Sequence, residues 1–289
     1  MPARLASPSE RARGRPRLAT LATVANEAPA PARGFDEPTP SSLDAALREH
    51  ANPERAAKEK QYLKSDLTHY GVSVPTIHRL AAATSRGLDR RSLLDLATGL
   101  WDEPDGAPVF ERRFLAADLL SNGRELLTPD DLPLLDRLCR EARTWAIIDT
   151  LAPRVLGPMA TRYPNELTPV LDGWVADPDH WMRRTALLTH LIPLRDGRGD
   201  WNRFTRYADE LIDDREFFVA KALGWVLRDT GRRRPDMVLD WVEPRFPRLT
   251  PVTAREAIKP FSADVQERLR QSRLAEAAAP HLDTKPTQR

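Results

Sequence analysis

Apolar residues recur three and four positions apart through nearly all of the chain between residues 43 and 274. Leu93, Leu94, Leu96, Ala97, Leu100 and Trp101 form one stripe, and Phe110, Phe114, Ala117 and Leu120 form another. Leu132, Leu135, Leu138 and Cys139 make a third, and Phe217, Phe218, Ala222, Trp225 and Val226 a later one. That spacing marks helices that bury one face. Alternating Val/Ile/Thr runs of the strand type are missing from the sequence. Ser85-Arg86-Gly87, Thr128-Pro129 and Thr250-Pro251 punctuate the stripes as caps or stops. The pattern predicts an all-α protein with about a dozen helices of roughly 8–17 residues joined by short loops. Breaks near Asn165, Asp177–Asp179 and Asp213–Asp214 return at intervals of tens of residues. Such spacing suggests an α-solenoid, in which each helix pair buries its apolar face on the next pair. A compact helical bundle satisfies the same period.

The ends depart from this pattern. Residues 1–42 hold seven prolines, which remove backbone donors throughout, and are expected to be a disordered Pro/Ala/Arg-rich tail. The helical domain is expected over residues 43–274, and residues 275–289 read as a frayed tail. The first residues contain arginines but no continuous apolar core of the signal-peptide type. No stretch approaches the roughly 20 apolar residues of a membrane helix. The expected location is therefore the cytoplasm, with no membrane partner.

Charge and composition narrow the chemistry. Across 289 residues, Lys and Arg number 44 against 42 Asp and Glu. This balance excludes a histone-like cationic protein, yet a local basic face remains open because binding responds to the field of a patch. The single cysteine, Cys139, rules out an intramolecular disulfide and a thiolate zinc site. The six histidines show no H-x-x-x-H or H-E-x-x-H spacing, so no metal is predicted. Neither a phosphate-binding glycine loop nor a G-x-S-x-G nucleophile elbow occurs.

Three constellations remain. In Arg143-Thr144-Trp145-Ala146-Ile147-Ile148-Asp149, an indole and a carboxylate lie four residues apart and share one helical face. The structural alternative is a buried Trp beside a capping or paired Asp. In the segment from Glu216 to Asp229, Lys221, Trp225 and Arg228 fall at i, i+4 and i+7, while Phe217, Phe218, Ala222 and Val226 are expected to face the core. From Arg215 to Lys259 there are ten basic and six acidic residues. Cations interleaved with aromatics suit a phosphate backbone and exposed bases, and a solvated charged face is the plainer alternative. In His180-Trp181-Met182-Arg183-Arg184, paired arginines open an apolar helix, and arginine's planar fork suits phosphate.

Taken together, these segments resemble the AlkD family of bacterial DNA alkylation-repair glycosylases, built from HEAT-like repeats. Tyr62-Leu63-Lys64-Ser65 with Tyr70-Gly71-Val72 and Pro75 is similar to the family's N-terminal segment. Trp145 with Asp149 and Pro153, and Trp181-Met182-Arg183-Arg184-Thr185-Ala186, match two further blocks. Phe217-Phe218 through Gly224-Trp225-Val226-Leu227-Arg228 is the most specific, and Arg255-Glu256-Ala257-Ile258-Lys259 continues the match. The resemblance spans about residues 45–270. It implies a solenoid with a concave DNA-binding face and hydrolysis of the N-glycosidic bond of cationic N3- or N7-alkylpurines in duplex DNA. The implied catalytic residues are Asp149, Trp145 and Trp225. Tyr62, Arg184 and Arg228 are the implied DNA contacts, and Lys221 joins them on the basic helix face. No metal or diffusible cofactor is implied. A monomer acting at the nucleoid on alkylated double-stranded DNA is expected. Where the family often has a doubled Trp followed by Asp, this chain has Thr144-Trp145-Ala146, which bears on substrate range. A non-catalytic DNA-binding repeat module and a protein-interaction scaffold are the competing classes. Retention of Asp149 with both indoles favours the enzyme.

Overall fold

A computed structural model describes residues 38–103 and 106–278. The compact unit begins at Pro38. Its helices are α1 (Pro40–Glu49), α2 (Pro53–Leu63), α3 (Val74–Thr84), α4 (Arg90–Trp101), α5 (Phe110–Asn122), α6 (Leu132–Glu141), α7 (Trp145–Leu151) and α8 (Gly157–Arg162). They continue as α9 (Pro164–Val175), α10 (His180–Thr189), α11 (Leu191–Arg195), α12 (Trp201–Glu210), α13 (Phe217–Gly231), α14 (Pro235–Val242), α15 (Pro251–Ala257) and α16 (Ala263–Ala278). Among the described residues no strand forms; only an isolated bridge joins Thr68 to Val109.

The local reasons are those of helix ends. Thr39, Asn52, Ser73, Asp89, Asp179, Asp200 and Thr250 each accept a first-turn N–H on a side-chain oxygen. Such caps satisfy donors that have no partner inside the helix. Several helices also open on proline, whose fixed φ suits the first turn.

The helices form an all-α solenoid. An inner row runs α5, α7, α10, α13, α15, each packed on the next. Helices α3, α4, α6, α9, α11 and α14 back this row. Contact is therefore mainly between successive pairs, the arrangement that distinguishes a solenoid from a bundle. Helix α5 is buried from Phe110 to Ser121, charged residues included. Those charges are all engaged. Glu111 accepts the N–H groups of Tyr70, Gly71 and Val72. Arg112 donates to the Gly99 and Leu100 carbonyls, Arg113 to the Glu141 carbonyl, and Asp118 pairs with His78. A buried charge without such partners would cost several kcal/mol, roughly.

Three expectations need correction. Helix α1 starts at Pro40, inside the segment expected to be disordered, because Thr39 and Ser42 close a capping box there. At the other end α16 runs to Ala278, past the expected fraying point, because the Ala- and Glu-rich stretch has high helix propensity. Residues 1–37 and 279–289, where the rest of both tails was expected, lie outside the described residues. Several helices are also shorter than expected. Between α7 and α8 the chain stays helical but widens to a π-turn over Ala152–Leu156. Pro153 has no N–H for the Asp149 carbonyl four residues back, so the ladder changes register there.

Cys139 is buried in the core, and burial pushes its thiol up to about 12, as suits an inert packing residue. Burial also pushes the His190 imidazolium down to about 4, from 6.5. A depressed value favours the neutral ring in the folded state. This contribution to stability is whole above pH 6.5 and is lost as pH falls toward 4. Thermal melts are expected to drop across that window, and His190→Gln to flatten the drop; an equally steep loss in the variant would assign it elsewhere. Among the described residues no helix is long and apolar enough to cross a membrane.

Candidate DNA-facing active site

The inner row brings four remote segments to one cleft of about 220 Å³, lined by Trp145, Asp149, Arg184, Phe218, Lys221, Trp225, Arg228 and Glu256. These residues come from α7, α10, α13 and α15. All of the expected site residues except Tyr62 therefore line a single cleft. Tyr62 stands at its edge, 74% exposed, with its ring edge-on to Trp145 at 5.8 Å between centroids.

Helix α7 starts at Trp145 because Thr144 caps it, accepting the Ala146 N–H at 3.5 Å. Thr144 is buried in that role and does not line the cleft. The chain turns through left-handed backbone at Lys64, just after Tyr62, and at Arg143, just before Thr144. Non-glycine residues occupy that region at a cost of about 1–2 kcal/mol. Arg143 bridges to Asp66 at 3.1 Å, joining the two turns that present Tyr62 and Trp145.

One turn into α7, Asp149 meets Arg184. The guanidinium donates from Nε at 3.0 Å and from Nη2 at 2.5 Å, both to Asp149 Oδ1. Its remaining branch, Nη1, donates to the Phe218 carbonyl at 2.5 Å. Among the described residues no protein donor reaches Oδ2, and Asp149 lines the cleft. Burial raises the Asp149 carboxyl above its ordinary value; the Arg184 charge and hydrogen bonds, then Lys221, pull the other way.

This geometry changes the picture of Arg184. Its side chain is only 2% exposed, against 18% for Asp149, and its donors point to Asp149 and the α13 backbone. It forms a buried part of the cleft lining, with its donors engaged inside the protein.

Helix α13 supplies the opposite wall. Trp225 Nε1 donates to Asp229 Oδ2 at 3.1 Å, one turn later, and this holds the indole plane. Arg228 pairs with Asp229 at 3.3 Å and with Glu256. Lys259 closes the chain of charges on Glu256 at 2.6 Å. Against the pull of burial, Lys259 and then Arg228 hold the Glu256 carboxyl below its usual range. Gly224 makes this possible: a Cβ there would lie 2.7 Å from the Glu256 Cβ and 3.1 Å from the Thr253 carbonyl. Lys221 is exposed, with Nζ 5.7 Å from the Phe217 ring centroid, and among the described residues has no carboxylate partner.

Phe217 and Phe218 were expected in the core, and the structure corrects this. Phe217 is 50% exposed, and Phe218 lines the cleft, its ring packed on Trp181 at 5.0 Å. The signal was present: Phe218 lies three residues before Lys221 and seven before Trp225, on the same helical face. Glu256 and Asp229 were not singled out, because acids among arginines look like ordinary surface pairing until the fold joins their helices.

The solenoid thus carries a carboxylate clamped by arginine in a cleft that two indoles, Lys221 and Arg228 also line. Residues 43–261 match a family model described as DNA alkylation repair enzyme. The chain belongs to that family, and its role lies in the repair of alkylated DNA. Among solved structures it is similar to a predicted DNA alkylation repair enzyme from Enterococcus faecalis, at 20% identity and a TM-score of 0.64, covering 74% of this chain and 98% of that one. It is also similar to smu.31 of Streptococcus mutans UA159, at 16% identity and a TM-score of 0.50, covering 72% and 98%. These likenesses support the fold. No curated protein matches the sequence.

Proposed function

We propose that the protein is a monofunctional DNA glycosylase that hydrolyses the N-glycosidic bond of cationic N3- or N7-alkylated purines in duplex DNA, acting as a monomer. One observation supports the reading above all: Asp149 has one oxygen bound to buried Arg184 and the other open in a cleft walled by Trp145 and Trp225.

The chemistry follows from charge. Alkylation at N3 or N7 makes the purine cationic and a better leaving group. As the bond from C1′ to nitrogen breaks, its electron pair goes to the base and neutralises it, while positive charge grows on the deoxyribose. Such an oxocarbenium-like state is stabilised by a carboxylate on its face. Asp149 Oδ2 fills that role, accepts the proton of the water that adds to C1′ and then releases it to solvent. Arg184 positions Asp149 and opposes the rise that burial imposes on its carboxyl, which favours the anion. Trp145 and Trp225 hold the nucleotide, each ring face favouring the cation by about 0.5–2 kcal/mol. A neutral purine lacks both the leaving ability and this attraction, which is the source of selectivity.

The cleft is smaller than the roughly 300–1,000 Å³ of sites that enclose a whole ligand. This favours contact with the sugar and the base edge over complete enclosure of a flipped base. A duplex gripped from one side then leaves room for bulky adducts. Tyr62, Lys221 and Arg228 are assigned to the backbone contact. Arg228 is already paired with two carboxylates, so Lys221 is assigned the phosphate contact that dominates the salt dependence. Lys221→Ala is expected to weaken binding to all sequences alike and to lower the slope of log K against log salt by about one. An unchanged slope would remove Lys221 from the backbone contact.

The decisive assay is incubation of methylated duplex DNA with the protein, followed by chromatography of released 7-methylguanine and 3-methyladenine. Release no faster than in protein-free buffer would overturn the assignment and favour a binding module.

A further inference from the structure

Away from the cleft, a second cluster has no role in the proposed reaction. Glu59 on α2, His69 in the loop before α3 and Glu111 in the first turn of α5 place ligand atoms within 4.8 Å of one another. Both ring nitrogens of His69 are buried without a hydrogen-bond partner, and so is Glu59 Oε2. Buried polar atoms are nearly always partnered, and an orphaned imidazole beside an orphaned carboxylate oxygen calls for an explanation. The second Glu59 oxygen is held by Arg55 at 2.7 Å. Glu111 is oriented by three backbone N–H groups, the outer support that ligating carboxylates commonly have. The His69 ring is stacked on Phe110 at 4.8 Å, which fixes its plane.

The place matters as much as the donors. Helix α2 buries only Leu63, so little apolar packing binds it to the body. Its start is drawn close by Gly71, where a Cβ would lie 2.1 Å from the Asn52 carbonyl oxygen. The same helix carries Tyr62 to the edge of the cleft.

We propose that Glu59, His69 and Glu111 bind one divalent ion of the zinc class, which ties α2, and the Tyr62 it presents, to the body of the protein. One imidazole with two carboxylates is a donor set of that class, with bonds of about 2.0–2.2 Å. Tetrahedral angles at such bonds place ligand atoms about 3.4 Å apart, so a small rotation of the Glu59 and His69 side chains closes the site. The ligands lie on three separate elements, and for that reason no metal spacing shows in the sequence. The ion is structural and independent of the glycosylase reading.

The test uses the full chain, stripped with chelator and titrated with Zn²⁺, and with Co²⁺ as the visible probe. One equivalent is expected to bind, with cobalt d–d bands, a raised Tm and slower amide exchange in α2. His69→Phe keeps the stack on Phe110 and is expected to lose all four signals. Glu59→Gln is expected to weaken binding by more than the roughly 10–100-fold typical of an outer partner. If His69→Phe does not fold, Glu59→Gln decides alone. Metal content in the wild type no greater than in the variants, or a Tm and α2 exchange unmoved by Zn²⁺, would overturn the site.

Discussion

Asp149→Asn is expected to lower the rate of 7-methylguanine and 3-methyladenine release by about 10²–10³-fold, with DNA affinity nearly unchanged. Asn keeps the shape, and its amide oxygen can still accept from Arg184, so the fold is expected to survive. What disappears is the negative charge on the open oxygen facing the sugar. Stabilisation of a developing charge by a group fixed in advance is worth about 2.7–4 kcal/mol when one such group is removed. The measurement is single-turnover excision alongside equilibrium binding. Wild-type excision by the Asn variant would show that Asp149 has no part in the chemistry.

Arg184→Ala is expected to act on both stability and rate. The guanidinium is buried and joins Asp149 on α7 to the Phe218 carbonyl on α13. Removing it leaves a largely buried carboxylate without its partner, a change that typically costs about 3–5 kcal/mol. Because Arg184 holds the Asp149 carboxyl down against burial, its loss raises that carboxyl further. A raised carboxyl favours the protonated form in the folded state. The instability is therefore smallest in acid and grows as pH rises through the folded value. The acid limb of excision moves to higher pH for the same reason. Arg184→Lys keeps a charge but not the fork that reaches both partners, and is expected to recover only part of each effect. A melting curve and a pH–rate profile check the pair of claims. An acid limb that stays in place in Arg184→Ala would separate Arg184 from Asp149 and return it to a contact with DNA.

Much of the site was legible along the chain. The spacing of Trp145 and Asp149, and that of Lys221, Trp225 and Arg228, put each group on one helical face because a helix repeats every 3.6 residues. The cap signal at Thr250 and the stripe through Cys139 also appear in the structure as read. Local information fails where two segments must meet. Arg184 looked like a surface cation because the sequence does not show which helix covers it. Phe217 and Phe218 looked like core because apolar type predicts burial only on average, while exposure depends on what packs opposite.

The sequence by itself determined the helices, the faces that carry indole, carboxylate and cations, and the family to which the chain belongs, since caps and periodicity act over a few residues. Only the tertiary structure decided that Arg184 clamps Asp149, that Glu256 pairs with Arg228, and that Glu59, His69 and Glu111 come within 4.8 Å of one another. Those pairings join helices whose separation in the chain bears no simple relation to their separation in space. They depend on how the inner row stacks, and on close approaches such as the one Gly224 permits between α13 and α15.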